Sequence, residues 1–178
     1  MAKIINLQKY QTRVVEQRGF NPWLKRFGES YGQTTRLSDI SDGTLYFLAV
    51  PGELGNVAFY ELIMGILDLG EASEFHEIDR DKQMQVMDIH LFLVDIVRFE
   101  MMHRLGWIDK LPCEGYSLLE MVQDFDKLKL KCKGKPPALL ETHPDYHVYK
   151  ELIRKDKESF IRRLLNNALE TFNKKIES

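Results

Sequence analysis

The sequence predicts an all-α domain, a helical bundle around one central apolar helix near residues 84–107. Three observations carry this: apolar spacing of three and four over most of the chain, capping signals at the ends of those stretches, and no convincing run of strands. A chain of 178 residues with 44% apolar and 29% charged side chains is expected to form a single domain over 1–178.

In chain order, Ile4, Leu7, Tyr10 and Val14 predict a first helix ending near Gly19. Asn21-Pro22 reads as an N-cap and first helical residue, placing Trp23, Leu24, Phe27 and Tyr31 on a second helix. The run Thr44-Leu45-Tyr46-Phe47-Leu48-Ala49-Val50 fits a short buried strand, an irregular segment or a helical turn, ended by Pro51-Gly52. Residues 54–70 read as a helix and 71–81 as a charged connection, with Asp79 or Asp81 capping the next helix. That helix is apolar on nearly every side up to Gly106 and is expected to be covered on several faces. Ser117-Leu118-Leu119-Glu120 is a capping box opening a helix to about Leu128. After the break at 133–137, Thr142 or His143 caps an amphipathic stretch reaching Ile176, interrupted near Lys155-Asp156. Residues 138–178 thus form a C-terminal helical segment expected to dock on the rest.

Cys113 and Cys132 have neither disulfide-framework nor zinc spacing, which points to a reducing compartment. The N-terminus shows no signal-peptide pattern, and no stretch approaches the roughly 18 uncharged apolar residues of a membrane span. The cytoplasm is the expected location. Residues 1–52, 53–126 and 127–178 carry net charges of +3, −11 and +6. This asymmetry is explained by a basic tail docking on acidic helices of its own or a sister chain, by a cation site, or by an anionic partner.

Glu61 and Asp68 are seven apart, as are Asp88 and Asp95, so each pair shares a helix face. In an antiparallel hairpin pivoting near residue 78, 68 meets 88 and 61 meets 95. Four carboxylates among apolar side chains need compensating charge: Mg²⁺ or Mn²⁺, Arg98 one turn from Asp95, Arg104, or the basic C-terminal helix. The segments Asp68-Leu69-Gly70-Glu71-Ala72, Asp88-Ile89-His90-Leu91-Phe92-Leu93-Val94 and Arg104-Leu105-Gly106-Trp107-Ile108-Asp109 resemble the helical core of all-α nucleoside triphosphate pyrophosphatases. The MazG-like proteins and dimeric dUTPases belong to that superfamily. The resemblance spans about residues 61–109 and implies Mg²⁺ held by Asp68, Glu71 and Asp88, with Glu61 or Asp95 assisting. Met64, Gly65 and Gln85 replace carboxylates of the family pattern.

His143 and His147 have metal-ligand spacing on a helix, or serve as a cap and an exposed neighbour. The lysines at 127, 129, 131, 133 and 135 alternate with other residues, but no aromatic is interleaved for base stacking, so nucleic acid is not the expected partner. Phe20, Trp23, Phe27 and Tyr31 read as core or interface. Two functions remain: an interaction protein, a regulator or adaptor binding itself as a homodimer or another protein, and a divalent-metal-dependent nucleoside triphosphate pyrophosphohydrolase or an inactive relative.

Overall fold

A computed structural model of the chain describes residues 7–109, 111, 113–132 and 135–178. The helices are α1 (Leu7–Phe27), α2 (Asp42–Ala49), α3 (Glu53–Ile66), α4 (Arg80–Arg104), α5 (Leu118–Gln123), α6 (Phe125–Cys132), α7 (Tyr146–Tyr149), α8 (Arg154–Arg163) and α9 (Leu165–Glu177). Among the described residues, extended pairing is limited to two isolated bridges, Arg36 with Ser117 and Ile108 with Leu139. The fold is the expected all-α bundle.

Two elements differ from the sequence reading. The apolar run at 44–50 is helical, not a strand or irregular. The Ser41 hydroxyl accepts from the Thr44 N–H at 3.3 Å, Asp42 sits in the positive first turn, and one face buries Thr44, Leu45, Leu48 and Ala49. The second difference is at the N-terminus, where the two expected helices are one. α1 runs unbroken through Gly19 and Pro22, because Phe20 and Trp23 anchor its middle in the core. The Trp23 indole N–H donates to the Ala58 carbonyl of α3 at 2.7 Å, and Phe20, Phe27 and Tyr31 meet the indole edge-on. Such packing outweighs a proline penalty of about 3 kcal/mol. Ile4 lies outside the described residues.

α1 and α3 cross at two glycines. A Cβ on Gly65 would stand 2.6 Å from the Arg18 carbonyl carbon and 2.8 Å from the Gly19 Cα, both backbone atoms. Pro22 has no N–H to give the Arg18 carbonyl, and that carbonyl is what Gly65 accommodates.

α3 ends in a Schellman turn. Leu69 N–H bonds the Met64 carbonyl at 2.9 Å, Asp68 N–H bonds that of Gly65 at 3.3 Å, and Asp68 takes the left-handed conformation (φ 58°). α4 ends the same way with Gly106 at that position (φ 74°). Its start is capped as expected, Asp79 accepting from Lys82 N–H at 3.0 Å.

The core unites α1, α2, α3 and α4 with the amphipathic α9, whose Ala168 and Phe172 are fully buried. Arg104 ties its edges together: it meets Glu100 (3.0 Å), Asp42 of α2 (2.8 Å) and the Leu37 carbonyl (2.8 Å). Ser117 caps α5 as expected, but Asp124 ends that helix and α6 follows. No helix is long and apolar enough to cross a membrane among the described residues.

Candidate interaction surface

α4 divides lengthwise. One side sends Val86, Ile89, Leu93, Ile96, Val97, Met101 and Met102 into the core. The expectation that this helix is covered on several faces fails for its first half. Met84, Met87 and Leu91, spaced i, i+3 and i+7, are 51%, 42% and 63% exposed. They form a stripe about 10 Å long, bordered by the exposed carboxylates Asp81 and Asp88. Nothing in the helix dictates this face; it is the side that α2, α3 and α9 leave uncovered.

The predicted acidic residues are distributed between places. Glu61, Asp68 and Glu71 line a cleft of about 600 Å³ beside α1, with Arg18, Lys25, Met64 and Gly65. Glu61 holds Arg26 through two bonds of 2.6 and 3.3 Å, and Asp68 pairs with Arg18 at 2.5 Å. The α3 face carrying 61 and 65, and Asp68 in the turn that follows, are thus directed to α1, where the glycine crossing draws the helices together. Asp88 is exposed on α4, and Asp95 lines a separate cavity with Arg98, Phe99 and Arg162. Among the described residues, no three His, Cys, Asp or Glu side chains form a group that could hold a metal ion.

The cation on Asp95 is Arg162 of α8, at 2.6 Å; it also meets Glu158 at 3.1 Å and lies over the Phe99 ring. Its hydrogen bond to Asp95 is the main cause that raises its pKa. Arg98 instead donates to the Ala49 carbonyl at 3.1 Å, and burial lowers its pKa. So the charge match between the acidic middle and the basic tail is made within the chain at this point.

The histidines take structural positions. His143 is buried edge-on to Trp107, its Nδ1 accepting from Asp145 N–H at 3.1 Å, while His147 is exposed with Nδ1 3.0 Å from the Pro144 carbonyl. His90 is half-buried against Phe59 and Tyr60. Its Nε2 has no hydrogen-bond partner among the described residues, and burial lowers its pKa, aided by Arg98.

Sequence reasoning missed two features. The exposed α4 stripe was hidden because the helix is apolar all round. The two cysteines, whose spacing suggested neither a disulfide framework nor a zinc site, line one cavity of about 410 Å³ with Phe92, Ile96 and Phe99. Comparisons of the chain with family models, with curated proteins and with solved structures give no match.

Proposed function

We propose that this protein works by binding a basic amphipathic helix of a partner protein on the outer face of α4. The observation that carries the reading is the exposed Met84–Met87–Leu91 stripe with its acidic border of Asp81 and Asp88. Helices that recognise helices use this spacing, and methionine side chains repack to fit different partners. Charge supports the choice of occupant: residues 53–126 carry a net −11, so a basic partner is drawn to this region and an acidic one repelled. A catalytic reading has less support, because Glu61, Asp68 and Asp95 each hold an arginine.

The test is fluorescence anisotropy with a labelled amphipathic peptide of leucine and lysine, titrated with the wild type and with Leu91→Lys. Leu91 is exposed, so the variant keeps its fold. Binding that weakens with salt and drops at least about tenfold in the variant is expected. Equal binding by the two proteins overturns the reading, as does no binding at all. Sedimentation of the chain alone provides the other arm. A dimer that Leu91→Lys dissociates assigns the face to a second copy and overturns the choice of a foreign partner.

A further inference from the structure

Cys113 and Cys132 lie in segments that the fold brings to one place. After α4, Trp107–Asp109 runs beside Ala138–Leu140: Asp109 N–H bonds the Ala138 carbonyl at 3.0 Å, and Leu140 N–H bonds the Trp107 carbonyl at 2.8 Å. The Asp109 carboxylate accepts from Ala138 N–H at 2.8 Å. The intervening chain, with α5 and α6, therefore leaves and returns at the same end of the bundle. Cys113 follows this clasp and Cys132 precedes it. Both line the cavity walled by Phe92, Ile96 and Phe99, and both are free thiols.

We propose that Cys113 and Cys132 are a redox-active pair that closes to an internal disulfide by exchange with a low-molecular-weight disulfide. The inference is independent of the α4 surface. The two sulfurs are not equivalent. Cys113 is 1% exposed, and its thiol is pushed up to about 12, chiefly by burial and further by Cys132. Cys132 is half-buried; burial raises it too, but the neighbouring Cys113, Lys135 and Lys131 pull the other way. Cys132 is the attacking sulfur, since it is reachable and has cations beside it.

The chemistry balances in two exchanges. The Cys132 thiolate attacks one sulfur of the external disulfide, whose S–S bond breaks and whose other sulfur leaves and takes up a proton. Cys113 then loses its proton to solvent and attacks the Cys132 sulfur, expelling the second external thiol. The protein has lost two S–H hydrogens and gained one S–S bond; the external disulfide is reduced to two thiols. The new bond closes a loop holding α5 and α6 and pins the end of α6 to the link after α4, which stabilises the fold by restricting the unfolded chain.

The experiment incubates the full chain with oxidised glutathione, then reads the intact mass and the count of thiols alkylated by N-ethylmaleimide after denaturation. The wild type is expected to lose both alkylatable thiols, carry no glutathione, and melt at a higher temperature until a reductant is added. Cys132→Ala, at the half-buried site, is expected to take up no glutathione. Cys113→Ala is expected to retain one on Cys132. A wild type that keeps both thiols, holds glutathione, or forms disulfide-linked dimers overturns the proposal. The wild-type mass decides the question even where Cys113→Ala folds poorly.

Discussion

Gly65 of α3 lies against the Arg18 carbonyl of α1, the group that Pro22 leaves without a helical N–H partner. Replacing Gly65 by alanine would favour the helix by about 1 kcal/mol through propensity alone. The added methyl, however, meets immovable backbone. We expect Gly65→Ala to lose about 2 kcal/mol net by overpacking. At Gly19 the added methyl meets the Ile66 side chain, 2.7 Å from its Cγ1, which can move. Urea unfolding should therefore rank Gly65→Ala well below Gly19→Ala; equal stabilities would rule out this crossing.

Arg104 presents a different sensitivity. Its guanidinium and the Glu100 carboxylate are 16% and 9% exposed, and the same guanidinium holds Asp42 and the Leu37 carbonyl. Arg104→Met leaves Glu100 charged and buried without its cation. Breaking such a pair costs about 3 kcal/mol. Asp88→Asn, on the exposed α4 face, should change stability by no more than about 0.5 kcal/mol. Denaturant melts of the two variants make the comparison, and a neutral Arg104→Met would remove the network from any part in stability.

A pH effect follows from His90. Burial holds its folded-state pKa below the ordinary value, with Arg98 adding to the effect. The unfolded chain then binds the proton first as pH falls. Stability from this residue is present above about pH 6.5 and is lost as pH drops through the folded pKa. His90→Leu should flatten the stability–pH curve below about pH 6.5, by less than the one-proton limit of about 1.4 kcal/mol per pH unit. His143, lowered by burial in the same direction, is unchanged in that variant, so the difference reports His90. An identical acid slope in variant and wild type would contradict the assignment.

These positions also indicate what the sequence could reveal. Ser117, Asp79 and Gly106 were legible because a cap is local chemistry: one side chain or one φ angle decides it. The continuity of α1 and the character of 44–50 were not, since Trp23 and Leu45 hold those helices through residues distant in sequence. The seven-residue spacing of Glu61 and Asp68 implied one helix face; α3 ends at Ile66, so Asp68 lies past its C-cap, and the two share only the cleft beside α1. The spacing could not say that both turn to α1, which depends on the glycine crossing. Likewise, two cysteines 19 positions apart give no sign of meeting until the Asp109–Ala138 clasp is known.

Asp68 separates the two functional readings most directly. It occupies the left-handed position of the Schellman turn that ends α3, the place Gly106 takes at the end of α4. An L-residue there carries a strain of about 1 kcal/mol that glycine lacks. Its ion pair with Arg18 is 46% and 70% exposed and is worth less than that. Asp68→Gly should therefore raise stability by about 0.5 kcal/mol. Millimolar Mg²⁺ or Mn²⁺ should leave the melting midpoint of the wild type unchanged, because a ligand of the native state would raise it. A metal-dependent rise that disappears in Asp68→Gly would reverse the argument. It would show a carboxylate retained in a strained position as a ligand, and it would favour the pyrophosphohydrolase over the binding protein.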